Sequence, residues 1–149
     1  MRAASVVVGM AAVGGLVFTA VATAATEQGE GSGVPCAPTA DACVSLASDQ
    51  AWLVRDGRIV AGPMRTTHGT DAEPTPSGTF AVQWKDADHV SGESAGFPMP
   101  DAVFFDGDGR AFHAGDVRSN SAGCIRLSSR AAELFYANLQ PGDRVQILP

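Results

Sequence analysis

The chain has 149 residues with a formal net charge of -6, a length that suits one domain. The acidic balance argues against bulk attraction to nucleic acid or to anionic polymers, and leaves a small substrate or a locally read peptide as the better fit. Three cysteines are an odd number, so pairing leaves at least one thiol over.

Arg2 is the only charge before Glu27, and Val6–Ala22 is apolar or small throughout. That pattern reads as a signal peptide over residues 1–25, with Ala20-Val21-Ala22 and Ala22-Thr23-Ala24 as small-x-small cleavage patterns. The alternative is an uncleaved N-terminal anchor, since the uncharged run approaches the roughly 20 residues a spanning helix needs. Either way the remainder is expected outside the cytoplasm, with membrane contact only through an uncleaved N-terminus. Residues 26–42 are rich in Gly, Pro, Ser and acids and read as a linker. The folded unit is then 43–149, long enough for a single core.

After Cys43 short strands alternate with turn signals. Val44–Leu46 and Ala51–Arg55 lead through Asp56-Gly57, a strong hairpin signal, into Arg58–Ala61. Thr66–Ser77 reads as loop, Gly78–Trp84 as strand, and Asp86–Gly96 as a polar, mobile excursion. Ala102–Phe105 and Arg110–His113 form a second hairpin across Asp106-Gly107-Asp108-Gly109. A helix follows Ser128 or Ser129, with Ala131, Leu134, Phe135 and Leu139 on one face. Pro141-Gly142 ends it, and Val145 and Ile147 alternate as a closing strand. The expected fold is mostly β, a sandwich or mixed sheet with one packed C-terminal helix.

Cys36 and Cys43 are close in sequence with Pro35 and Pro38 nearby, which makes a local disulfide plausible and leaves Cys124 over. Cys124 stands in Ser121-Ala122-Gly123-Cys124-Ile125-Arg126-Leu127. Gly123 lets the backbone turn sharply beside the sulfur, and the N–H groups of Ala122, Gly123 and Cys124 could form a nest for an oxyanion. A thiol nucleophile needs a base. His89 lies in the polar excursion and reads as solvated. His68 reads as flanked by proline-rich loop. His113 ends a hairpin strand eleven residues before Cys124, a loop short enough to bring its ends together at small entropic cost, and is favoured. Arg126, two residues past the nucleophile, shares its face of a strand; it could bind a substrate carboxylate or lower the thiol pKa. Ser121 could donate a hydroxyl hydrogen bond near the site. Metal ligation by Cys36, Cys43, Cys124 and a histidine lacks any CxxC or HxxxH spacing, so no metal or cofactor is expected.

Phe112-His113-Ala114-Gly115 followed by Ser121–Leu127 resembles the signature of the L,D-transpeptidase catalytic-domain family (YkuD type). Pro74-Thr75-Pro76-Ser77-Gly78-Thr79-Phe80, Phe97-Pro98-Met99-Pro100 and Gly142-Asp143-Arg144-Val145 agree in order, so the resemblance covers about Val44–Leu148. It implies that family's β-rich fold and a peptidoglycan stem peptide as both donor and acceptor. It also implies attack by Cys124 on the amide carbonyl of the third stem residue, with His113 as base and then acid, oriented by a backbone carbonyl near Ala114. The thioester would pass to the side-chain amine of another stem to give a 3–3 cross-link, and carbapenems would acylate Cys124.

Three residues depart from the family pattern: Ala122 where many members have His, Asp101 where an aromatic is common, and His68. The short loop before Cys124 implies that any lid comes from Asp86–Gly96. Two other readings stay open. Water could resolve the thioester, giving an L,D-carboxypeptidase, or the chain could be a non-catalytic cell-wall-binding module.

Overall fold

The computed structural model describes residues 33–92 and 96–149; the signal-peptide or anchor reading of residues 1–25 lies outside them. Nine strands among the described residues form one curled mixed sheet. They are β1 (Ala42–Ser45), β2 (Gln50–Arg55), β3 (Arg58–Thr67), β4 (Gly78–Ala81), β5 (Trp84–Ser91), β6 (Phe97–Phe104), β7 (Ala111–Ala114), β8 (Ile125–Leu127) and β9 (Arg144–Leu148), with helix α1 (Ser129–Asn138) between the last two. The spatial order is β4-β9-β1-β2-β3-β8-β7-β6-β5. The ten-residue β3 joins the halves, pairing with β2 along most of its length and with β8 only at Thr66 and Thr67. No described helix is long and apolar enough to cross a membrane.

Strand periodicity divides the side chains between two sides. Ala42, Val44, Ala51, Leu53, Val103, Phe112, Ile125, Leu127, Val145 and Ile147 enter the main core with Phe105 and, from α1, Ala131, Ala132 and Phe135. Phe80, Phe105, Phe112 and Phe135 run through it in tilted pairs with centroids 5.6, 5.2 and 4.9 Å apart, within the range favoured by aromatic quadrupoles. The helix starts where Ser128 accepts from the Ala131 N–H. At its other end Lys85 Nζ donates to the carbonyls of Tyr136 at 2.7 Å and Leu139 at 2.8 Å, where a cation also complements the helix dipole.

Three expectations are corrected. The final residues of the stretch 26–42 are packed chain, not linker. Cys36 and Ala40 are buried with Cys43, Trp52 and Val54 on the outer side of β1 and β2. The Cys36–Cys43 disulfide ties them down, as do Ala37 N–H to Gln146 Oε1 at 2.7 Å and Arg55 to Asp41 at 2.7 Å. The physical reason is that β2 presents apolar residues to both sides, so Trp52 and Val54 need a second cover. Asp86–Ser91, the described part of the expected excursion Asp86–Gly96 that lies in a strand, is likewise not free: β5 pairs with β6 from Trp84↔Phe104 to Ser91↔Phe97. It is polar because it is the outermost strand of the sheet, where charge also discourages edge pairing. The expected strand Gly78–Trp84 is broken at Val82 and Gln83, and its two parts serve opposite edges of the sheet.

Phe112 is fully buried at the centre of the aromatic run. Phe112→Ala should therefore cost about 3–5 kcal/mol of stability, measured by urea denaturation.

Candidate active site

His113 and Cys124 come together because β7 and β8 are parallel neighbours. Their register pairs Phe112 with Ile125, His113 with Arg126 and Ala114 with Leu127. Phe112, Ile125 and Leu127 point into the core, so alternation sends His113, Cys124 and Arg126 to the opposite side. There a cavity of about 420 Å³ is lined by Cys124, His113, Arg126, Ser121, Ala122 and Arg110, with Phe97 and Met99 of β6 and Glu73 and Pro74 on its walls. Cys124 packs beside a small apolar group of Met99, Ala102, Phe104 and Ala111. Among the described residues it is the free cysteine.

His113 is buried, and its Nδ1 lies 2.9 Å from the Ala114 carbonyl. A carbonyl can only accept, so Nδ1 carries the proton, and in the neutral ring Nε2 keeps its lone pair. Burial pushes the imidazole below its ordinary pKa; the Ala114 carbonyl opposes this, and the positive charge of Arg126 adds to the lowering. Burial likewise pushes the Cys124 thiol up, against the lowering influence of the Ala111 backbone and of Arg126. Both shifts favour the uncharged pair at neutral pH.

The loop that presents Cys124 is held from three sides. Gly123 sits at φ +98°, and a Cβ there would meet Arg110 Nε at 3.0 Å and the Pro74 carbonyl at 3.3 Å. The Gly123 carbonyl accepts from the Thr75 hydroxyl at 2.8 Å. Ser121 is buried, and its hydroxyl donates to the Cys124 carbonyl, so its proton serves the loop instead of a ligand. Ser121 N–H also donates to the His68 carbonyl at 3.0 Å.

Arg126 lines the cavity, yet its guanidinium is engaged. Nη1 donates to Ser119 O at 3.1 Å and Asn120 O at 2.8 Å, and the group lies 5.2 Å from the Phe97 ring centre. Its buried Nε has no hydrogen-bond partner among the described residues. The Arg126 side chain therefore braces the loop before Cys124 and also places positive charge near the thiol.

His68 directly follows β3, contrary to the loop setting expected of it. Its Nδ1 lies 2.9 Å from the Gly69 carbonyl and its Nε2 3.4 Å from Asp49, and it is not on the cavity wall. His89 is not simply solvated: it lies against Trp84 and Phe104, with Nδ1 3.2 Å from Asp86. Asp101, at φ 54° within β6, is off the wall that Phe97 and Met99 form. The residues that motif reading passed over are Arg110 and Thr75. Arg110 is paired with Asp106 at 2.8 Å and Asp108 at 2.9 Å. It stood in the hairpin Asp106–Arg110, where the turn explained it without reference to the thiol. Among the described residues no three His, Cys, Asp or Glu are grouped to hold a metal.

The family model of the L,D-transpeptidase catalytic domain (YkuD) matches residues 39–147. Among solved structures, the chain is similar to an L,D-transpeptidase from Stackebrandtia nassauensis, with a TM-score of 0.67 at 25% identity over 72% of this chain and 54% of that one. An L,D-transpeptidase from Mycobacterium tuberculosis H37Rv gives 0.67 at 24%, covering 75% and 58%. L,D-transpeptidase 3 from Mycobacterium tuberculosis, in complex with a faropenem-derived adduct, gives 0.66 at 22%, covering 75% and 61%. The chain thus spans a little over half the length of these structures. No curated protein matches the sequence.

Because burial raises the Cys124 thiol, its alkylation by iodoacetamide should keep accelerating above the usual thiol midpoint of about pH 8.5. A midpoint well below that value, read by intact mass against pH, would mean a resting ion pair instead. Gly123→Ala forces a side chain into the left-handed region against Pro74 and Arg110; it should leave a folded protein whose Cys124 reacts at least about tenfold more slowly in acyl transfer.

Proposed function

The chain belongs to the L,D-transpeptidase catalytic domain family, and from that premise we propose that it is a cysteine acyltransferase acting on peptidoglycan stem peptides. The observation that carries this is the juxtaposition of a half-buried thiol and a buried neutral imidazole on one cavity, with Nδ1 of the imidazole already committed to the Ala114 carbonyl. That tautomer leaves Nε2 to take the thiol proton as Cys124 attacks the amide carbonyl of the third stem residue. A neutral thiol losing its proton during attack develops charge on the substrate oxygen, which the N–H groups around Gly123 and Cys124 are suited to meet. Collapse of the intermediate expels D-alanine, protonated by His113, and leaves a thioester. The side-chain amine of a second stem attacks the thioester, gives up its proton to His113 and restores the thiol, forming a 3–3 cross-link. No step draws on a metal or cofactor.

The cavity wall suits a peptide with charged ends. Arg126 brings positive charge and Glu73 negative charge to the wall, Arg110 and Asp108 being paired with each other, while Phe97 and Met99 supply apolar contact. By the same acyl chemistry, carbapenems would acylate Cys124; a structurally similar L,D-transpeptidase is known in complex with the carbapenem imipenem. The work of such an enzyme lies at the cell wall, consistent with export through residues 1–25. Hydrolysis of the same thioester would make the protein an L,D-carboxypeptidase, and the open cavity gives water access to the thiol.

Mass spectrometry of tetrapeptide-stem muropeptides incubated with the protein decides between these. Cross-linked dimers that have lost one D-alanine, absent with Cys124→Ala, establish the transpeptidase; tripeptide alone establishes the carboxypeptidase; neither product from folded protein defeats the proposal. His113→Ala should lower turnover roughly 10²–10⁴-fold. With the His113 pKa lowered by burial, the base stays deprotonated into more acid solution, so the acid limb of kcat/KM should lie below the ordinary imidazole value of about 6.5.

A further inference from the structure

Thr75 lies between β3 and β4, is buried at 6% exposure, and does not touch the cavity. Its hydroxyl accepts from the Gly69 N–H at 2.9 Å and donates to the Gly123 carbonyl at 2.8 Å. A hydroxyl has one proton, so making both bonds fixes its orientation. The Gly123 carbonyl belongs to the peptide unit whose N–H is that of Cys124. A trans peptide is planar with its C=O and N–H pointing to opposite sides. Gripping the oxygen therefore aims the Cys124 N–H away from Thr75, and Cys124 lines the cavity that Thr75 does not touch.

We propose that Thr75 is a positioning residue that sets the Cys124 N–H as an oxyanion donor, a role that rests on the acyl-transfer reading of the site. The packing around Thr75 agrees. A Cβ on Gly69 would lie 2.0 Å from the Glu73 carbonyl and 2.9 Å from Gly123 Cα, so three backbone segments meet without side chains between them. Such close approach fixes where the segments lie, but a peptide plane at φ +98° can still rotate between its neighbours. The Thr75 hydroxyl removes that freedom at Gly123, and the Ser121 hydroxyl holds the next carbonyl, that of Cys124. The two peptide units flanking the nucleophile are thus each pinned by a buried hydroxyl.

The test compares two reactions of the same thiol. Acylation of Cys124 by imipenem passes through an oxyanion, whereas alkylation by iodoacetamide displaces iodide and forms none. Both are followed by intact mass in the full chain, with folding checked by circular dichroism. Thr75→Val keeps the shape and removes the hydroxyl; acylation should fall at least about tenfold while alkylation changes little, and Thr75→Ser should restore acylation to within about threefold. Equal losses in both reactions, or undiminished acylation in a folded Thr75→Val protein, overturn the proposal. If that variant does not fold, Thr75→Ser decides: selective loss of acylation despite the retained hydroxyl overturns it, and near-native acylation supports it. A wild type that alkylates but never acylates overturns both this role and the acyltransferase reading; one that acylates with Thr75→Val unaffected overturns this role alone.

Discussion

The parallel pairing of β7 with β8 is the constraint on which the site depends. Parallel neighbours hold their side chains in step, so Phe112 and Ile125 face the core together while His113, Arg126 and the adjoining Cys124 face the cavity together. A one-residue slip of β8 against β7 would turn Arg126 toward the core and Ile125 out of it, and would take Cys124 off the face that His113 occupies. The aromatic run from Phe80 to Phe135 therefore does more than stabilise the fold. It sets the register that brings His113 and Cys124 to one surface.

Burial acts on the two reacting groups in opposite directions with one chemical result. It lowers the imidazole and raises the thiol, so both shifts favour the neutral forms of the pair. The Ala114 carbonyl selects the tautomer, a task that a carboxylate or amide side chain performs in the Ser-His-Asp and Cys-His-Asn hydrolases. A carbonyl orients without adding a full negative charge, which leaves the lowered imidazole pKa in place. Arg126 supplies a nearby positive charge while its hydrogen bonds go to the loop it braces.

The loop that carries Cys124 is built by hydroxyls and glycines. Gly123 and Gly69 permit backbone approaches that any Cβ would block, and Thr75 and Ser121 supply the polar links between the segments so brought together. The substitution of Ala for His at position 122 falls on the cavity wall of this loop, so it alters what faces a ligand and leaves the buried links beneath untouched.

The sequence by itself determined which residues could be chemical. An odd cysteine, a histidine ending a hairpin strand and a glycine before the thiol are local facts, legible because strand periodicity and turn chemistry act over a few residues. The helix with its Ser128 cap and the two hairpins were readable for the same reason. What tertiary structure decided was every role that depends on a distant partner. Residues 34–40 had the composition of a linker, yet Trp52 and Val54 needed a cover that only the folded sheet reveals. Asp86–Ser91 was polar because it became the outermost strand, not because it was loose. Arg110 and Thr75 meet Gly123 across a chain separation that no local pattern records. Side-chain type announces chemistry, but contact between remote segments assigns it.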